Sequence, residues 1–269
     1  MIRTLWTSAT GMQAQQLNID AIANNLANVN TTGFKNSRTE FQDLLYENMR
    51  AAGSDTSASG TKLPVGIQVG HGVRASAVSK DFAQGNPVQT SDDPMNVDLM
   101  ISGQGFFQVQ LPNGDIAYTR DGSFHIDTNG NIVNTDGYNL VGGAIGINPN
   151  IHTGVAIEST GSVGLADNGN PGFTAGVAQI QIARFVNPSG LTAIGGNLFK
   201  VSEASGNPVL ADPGTDGMGT LKQHYRENSN VNMVTEMVGM ISAQRAYEIN
   251  SKGIQTASDM LSLVANLKR

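Results

Sequence analysis

Phe106-Phe-Gln-Val-Gln-Leu111 is followed by Pro112-Asn-Gly114, then Ile116-Ala-Tyr-Thr-Arg120, Asp121-Gly122, Phe124-His-Ile126, Asn129-Gly130, Ile132-Val133, Asp136-Gly137 and Tyr138 to Val141. Short runs of β-branched and aromatic residues alternate with Asn-Gly and Asp-Gly pairs. Those pairs supply the positive φ angles of tight hairpins, so the stretch predicts consecutive antiparallel strands. A second set surrounds Val177-Ala-Gln-Ile-Gln-Ile-Ala-Arg-Phe-Val186 and Asn197-Leu-Phe-Lys-Val201. The middle of the chain is therefore β.

Working outward, glycine marks where the β region stops. Of 32 Gly, 27 lie between Gly60 and Gly219, and only two fall in the last 50 residues. Glycine is costly inside helices and useful in turns, so both ends read as helical. Leu5, Met12, Ile19 and Leu26 recur every seven residues, and Ile22 and Val29 complete a second seam position. The pattern stops at Asn30-Thr-Thr-Gly33, with Gly33 expected as the residue just past the helix end. Met233, Met240, Tyr247, Ile254 and Leu261 repeat with the same period, with Asn230 or Asn232 as candidate cap. The expected fold class is α+β, mainly β: terminal helices paired in coiled-coil fashion as one axial domain, around a central antiparallel β-rich domain.

These seams are thin, because Ser8, Gln15, Gln244, Ser251 and Ser258 hold the positions three or four residues on. Each buried Leu-sized side chain contributes about 1.5–3 kcal/mol, against about 1–2 kcal/mol per ordered residue. The expectation is that both ends fold only on meeting partners. The Ser-, Gly- and Ala-rich Ala51 to Gly60 segment reads as flexible or ordered by a partner.

Composition excludes several classes. The 269 residues carry 16 Lys plus Arg against 22 Asp plus Glu, a formal charge of −6, which argues against nucleic acid. Only 14% of residues are charged, and 26 Asn supply much of the remaining polarity, a surface suited to protein contact. The absence of cysteine removes disulfides, thiolate nucleophiles and Cys-ligated metals. No run of 18 apolar residues is present, so no membrane insertion is expected. Met1-Ile-Arg-Thr-Leu-Trp6 lacks the apolar core of a secretory signal, which implies either a cytosolic protein or export without cleavage.

Fragments of chemical motifs do not hold together. Gly70-His-Gly-Val-Arg-Ala75 has dinucleotide-fingerprint spacing, but Ser76 to Pro87 offers no helix to receive a pyrophosphate, leaving a strand with a bend. Asp127-Thr-Asn-Gly-Asn131 and Asp167-Asn-Gly-Asn170 resemble pieces of calcium loops but place Gly wrongly, so they read as turns. His71, His125, His152 and His224 are dispersed, Asp92-Asp93 reads as a turn before Pro94, and no serine sits in a GxSxG elbow. Met233, Met237, Met240 and Met260 suit plain packing or an adaptable helix surface. The expected catalytic, cofactor and metal inventory is none.

Three strings carry a resemblance. Ala23-Asn-Asn-Leu-Ala-Asn-Val-Asn-Thr-Thr-Gly-Phe-Lys35 resembles the N-terminal signature of bacterial flagellar rod and hook axial proteins, through Asn24, Asn25, Asn28, Thr32, Gly33 and Phe34. Gly103-Gln-Gly-Phe-Phe-Gln-Val109 with Tyr118-Thr-Arg-Asp-Gly-Ser-Phe124 is similar to the family's β-domain motif, through Gly105, Phe106, Phe107, Arg120, Gly122 and Phe124. Ser229-Asn-Val-Asn232 and Gln244-Arg-Ala-Tyr-Glu-Ile-Asn250 are similar to its C-terminal helix, through Gln244, Arg245, Ala246, Tyr247 and Asn250. The strings occur in the family's order and span essentially the whole chain.

The resemblance implies a non-enzymatic axial polymer. Its expected site is the distal rod of the flagellar basal body, since hook members add an outer domain for which this chain has little room. The segment Tyr46 to Gly66 sits where such a rod subunit would carry an extension. The implied partners are further copies of the chain, other axial proteins of proximal rod and hook, the outer bushing rings and the type III export apparatus. The implied organisation is residues 1–45 and 221–269 as the axial domain, 46–82 as a rod-specific insertion and 83–220 as the β-rich body. A proximal rod or short hook subunit is the alternative within the family. A periplasmic glycan-binding module or enzyme is the alternative outside it, disfavoured by the absence of a convergent acid/base pair and by a single Trp, Trp6.

Overall fold

A computed structural model describes residues 2–53, 62, 64–147, 152–167 and 170–267. Most of the segment Ala51 to Gly60, and residues 168 and 169 of the second calcium-like fragment, lie outside the described residues. In chain order the elements are α1 (Ile2–Ala27), β1 (Ser37–Asp43), β2 (Tyr46–Arg50), β3 (Ile67–Gly70), β4 (Val73–Lys80), β5 (Pro87–Gln89) and β6 (Leu99–Ser102). There follow β7 (Phe107–Gln110), β8 (Ile116–Thr119), β9 (His125–Ile126), β10 (Asn131–Val133), β11 (Asn139–Ala144), β12 (His152–Ile157), β13 (Ser162–Asp167) and β14 (Asn170–Gln179). The last are β15 (Ile182–Arg184), β16 (Thr192–Gly195), β17 (Leu198–Lys200), β18 (Val209–Ala211), β19 (Thr220–Gln223), β20 (Tyr225–Glu227) and α2 (Met233–Leu267). The chain is thus mainly β with one helix at each end.

The elements fall into two compact units. Unit one comprises Met1–Ala27, Ser37–Ser79 and Asn232–Arg269, and holds both helices with two antiparallel ribbons, β1 with β4 and β2 with β3. Unit two comprises Asn28–Asn36 and Lys80–Val231. Its principal sheet has the order β16-β17-β8-β7-β11-β10-β9, and a second sheet has the order β12-β13-β14. The alternating strand patterns bury one apolar set: Leu99, Ile101, Phe107, Val109, Phe124, Ile132, Leu140, Val163, Ile180 and Ile182 form a continuous core. A satellite cluster gathers Phe106, Tyr118, Phe185, Leu191 and Phe199. Its rings meet edge-on, Phe106 with Phe185 at 5.6 Å between centroids and Tyr118 with Phe185 at 4.9 Å.

The hairpin turns at Asn113-Gly114, Asn129-Gly130 and Asp136-Gly137 all carry glycine at positive φ and connect neighbouring segments. Asp121-Gly122 behaves otherwise. β8 and β9 sit far apart in the sheet order, and Gly122 has no positive φ. Its residue type answers to close approach instead, since an added Cβ would lie 1.5 Å from the Leu99 carbonyl oxygen. The Val177–Val186 run is divided between β14 and β15, and β15 pairs with β18.

The helix boundaries correct one expectation and answer another. α1 stops at Ala27, six residues before Gly33, so Val29 lies in a turn rather than on the helical seam. Gly33 does adopt positive φ, +69°, yet it serves the return segment: its N–H donates to the Glu227 carbonyl at 2.8 Å, and a Cβ there would lie 2.6 Å from the Asp121 nitrogen. Of the two candidate caps for α2, Asn232 does the work, its Oδ1 accepting from the N–H groups of Val234 (3.1 Å) and Thr235 (3.3 Å).

Candidate assembly site

Within unit one the helices run antiparallel, and small side chains line their contact. Asn25 Nδ2 donates to Glu236 Oε2 at 3.2 Å. The Cβ direction of Gly239 faces Ile22, that of Gly253 faces Ser8, and that of Gly11 faces Asn250. Ser8, Ala14, Ile22 and Asn25 of α1 and Ala243 and Ala257 of α2 are the buried positions. Glycine, alanine and serine let the two backbones approach closely, so the stripe buries area without large side chains.

The apolar seven-residue repeats flank this stripe. Leu5, Met12, Ile19 and Leu26 are half-buried, as are Met240 and Ile254. Met233, Tyr247 and Leu261 are exposed at 47%, 39% and 36%. Of the expected seam residues only Ile22 is fully buried against α2. The opposite side of α2 is more open still, with Val234, Met237, Val238, Ile241 and Ile249 all at least half exposed. Among the C-terminal motif residues, Gln244 and Arg245 point outward, Ala246 is half-buried, and Asn250 faces Gly11.

The N-terminal motif divides its labour. Asn25 is buried and clamps the start of β1: its Oδ1 accepts from Ser37 N–H at 2.8 Å and its Nδ2 donates to Ser37 O at 2.9 Å. Asn24 is exposed. In unit two, Asn28 Oδ1 accepts from the Thr31 hydroxyl at 3.1 Å, and Thr32 O accepts from Asn197 Nδ2 at 3.0 Å. Phe34 lies beneath the Lys80 ammonium, 5.2 Å from its ring centroid.

Beside these sits a buried charge cluster that sequence reasoning missed. Lys35 Nζ lies 2.6 Å from Glu227 Oε1 with both side chains essentially sealed from solvent, and also donates to Ala83 O at 2.7 Å. Glu227 Oε1 accepts a further bond from Gly85 N–H at 2.7 Å. Arg120 Nη1 stands 3.7 Å from Glu227 Oε2, while its Nη2 donates to Gly103 O at 2.6 Å. Burial pushes the Lys35 ammonium below the usual lysine value, with Glu227 pulling the other way. Arg120 is lowered for the same reason.

This cluster is where the three motif strings converge in unit two. Lys35 closes the first string, Arg120 belongs to the second, and Glu227 stands two residues before the third. Asn230 completes the join: its Oδ1 accepts from Asn36 N–H at 2.8 Å and its Nδ2 donates to Asp81 O at 2.8 Å. Within the second string, Phe107 and Phe124 meet edge-on at 5.2 Å in the main core, and Gly105 leaves room for Ile182. Opposite charges 192 residues apart leave no periodic trace. The available hint was a lysine ending the first string and an acid just ahead of the third.

Among the described residues no group of three or more His, Asp or Glu is placed to hold a metal, and no helix is long and apolar enough to cross a membrane. What the geometry offers is a pinned β body and a helix pair with open apolar faces. Three family descriptions match the chain: the flagella basal body rod protein over residues 5–35, the flagellar hook protein FlgE/F/G D1 domain over 100–165, and the flagellar basal body rod FlgEFG protein C-terminal over 222–267. The flagellar basal-body rod protein FlgG of Borreliella burgdorferi is 48% identical over 270 residues, covering 100% of each chain.

The chain belongs to the flagellar basal-body rod protein family.

Other rod-protein relatives include FlgG of Caulobacter vibrioides, 48% identical over 99% of this chain and 100% of its own, and FlgG of Bacillus subtilis, 37% identical over 100% of each. A solved flagellar hook protein, FlgE2 of Helicobacter pylori, covers 72% of this chain and 43% of its own at 16% identity and a TM-score of 0.25, too distant to bear on the fold. The three matched regions of the rod-protein chain contain α1 from Leu5 onward, the whole of α2, the motif β-strands and the residues that meet around Glu227, apart from Ala83 and Gly85.

Proposed function

We propose that this chain is a structural subunit of the flagellar distal rod, polymerising into the tubular drive shaft that carries torque from motor to hook. The observation that carries the reading is the open apolar surface of the helix pair: eleven large apolar residues of α2, from Met233 to Val264, are at least a third exposed. Monomeric proteins rarely leave so much of one helix's apolar surface in water, and such patches mark interaction sites.

In this reading residues 1–45 and 221–269 form the axial domain, 46–82 a rod-specific extension, and 83–220 the outer body. Leu5, Met12, Ile19, Ile22, Leu26 and Val29, with Met233, Met240, Tyr247, Ile254 and Leu261, supply contacts between subunits. The half-exposure of most of these residues in one chain supports that role, because apolar surface left open by one subunit is available to the next. Its partners are further copies, the proximal rod and hook proteins, the bushing rings and the export apparatus.

Cryo-tomography of flagellar bases in cells lacking the chain tests this. A rod that stops short, without outer rings or hook, is expected. A complete rod without a hook would reassign the chain to the hook, and normal flagella would overturn the reading.

A further inference from the structure

The antiparallel helix pair has ends of unequal length. Ser8 meets Gly253, Gly11 meets Asn250, Ile22 meets Gly239 and Asn25 meets Glu236, and in every pair the two residue numbers add to 261. The register therefore holds without slippage along the whole contact. With α1 beginning at Ile2, Asp259 is the last α2 residue that has an opposite number among the described residues. Met260–Leu267 extends past that point with no opposite number among the described residues, about 12 Å of helix at 1.5 Å per residue.

This overhang is apolar on one face. Met260, Leu263 and Val264 stand at i, i+3 and i+4, exposed at 47%, 61% and 52%. At the other end of the same helix, Val234, Met237, Val238 and Ile241 stand at i, i+3, i+4 and i+7, exposed at 71%, 50%, 61% and 52%. By helical spacing this second face lies opposite the Gly239–Ala243 side that packs on α1.

We propose that the C-terminal overhang of one copy seats on the Val234–Ile241 face of the next, head to tail along the helix axis. This rests on the reading of the chain as an axial polymer subunit and names the surfaces that join. Both faces belong to one 35-residue helix, at opposite ends. A contact between different patches propagates into an open filament when the rotation between copies does not close a ring, whereas a patch that paired with its own copy would stop at a dimer.

The size of the faces agrees with that role. The Val234–Ile241 face offers roughly 400 Å² of apolar surface and the overhang roughly 300 Å², half or less of the ~800 Å² that one partner buries in a stable complex. The contact is too small to hold two free subunits and sufficient when neighbours in a polymer reinforce it.

The chain has no cysteine, so engineered pairs report without background. Leu263→Cys is combined in turn with Val234→Cys, Met237→Cys, Val238→Cys and Ile241→Cys in cells whose own copy is deleted. Rods are isolated, oxidised and run on non-reducing gels. A ladder of multimers from at least one pair, with every single-cysteine variant monomeric, is the expected result. Swimming cells with intact rods and no ladder from any pair would overturn the head-to-tail contact while leaving the rod reading standing. A dimer from Val238→Cys alone would show the face pairing with itself and also overturn it. Normal flagella in the deletion strain would instead overturn the rod reading. Should the cysteine pairs block assembly, charge exchange decides: Leu263→Glu abolishes swimming, and Lys at one of the four facing positions restores it. No restoration from any of the four would sink the proposal.

Discussion

Glu227 shows how much one side chain organises. Its carboxylate accepts from Lys35 and from the Gly85 backbone and stands near Arg120, all with almost no solvent access. Removing one partner of a buried ion pair leaves the other charged and unsolvated, at a cost of about 3–5 kcal/mol. Glu227→Gln is therefore expected to lower stability to urea by about that much, while Lys35→Met with Glu227→Gln loses clearly less than the two single changes added. Strict additivity in that double-mutant cycle would count against the coupling. An exposed pair supplies the pH test. Lys200 Nζ, 2.6 Å from Asp115, holds that carboxyl below the usual aspartate value. A carboxyl with a lowered folded pKa stabilises above its unfolded value, and the contribution is lost as pH falls through the folded one. Lys200→Met should raise the Asp115 midpoint toward the ordinary range, as followed by side-chain NMR.

At the scale of elements, the helix pair separates two jobs that the sequence superimposes. The seven-residue apolar repeats are plain in the sequence, but the line of contact within unit one is the small-residue stripe beside them. Burial area alone, counted from large side chains, understates such a pair, because close backbone approach supplies the missing contact. Ala257, fully buried, has no room to grow. Ala257→Leu is expected to cost about 1–3 kcal/mol by overpacking, read as a lower thermal midpoint of the helical signal. Met237→Lys, on the open face, should leave stability within about 0.5 kcal/mol and yet abolish rod assembly. Equal effects of both changes on stability would mean that the two faces are not distinct.

For the whole molecule, the two units differ in what holds them. Unit two carries a continuous core around Phe107, Leu99, Ile132 and Ile180 and its own buried ion cluster. Unit one relies on a long helix pair and two exposed ribbons, with Leu45 and Met49 at 87% and 62% exposure. Removing Val234–Leu267 is thus expected to leave a cooperatively melting β body that no longer enters rods. A truncated chain that still builds rods, or one whose β signal melts without cooperativity, would contradict this division.

Local chemistry determined the strands, hairpins and caps of this chain. Asn-Gly and Asp-Gly pairs, period-two alternation and the Asn232 cap act over a few residues, so their effect is legible in order along the chain. The family strings likewise stood whole in the sequence. Tertiary structure alone decided why those strings contain what they do. Gly122 is small because Leu99 approaches it, Gly33 turns the return segment toward Glu227, and Lys35 finds its partner 192 residues away. Periodicity shows which face of a helix is apolar. Which face meets its own chain and which stays open depends on how closely two backbones pack, and that distance exists only once the chain has folded.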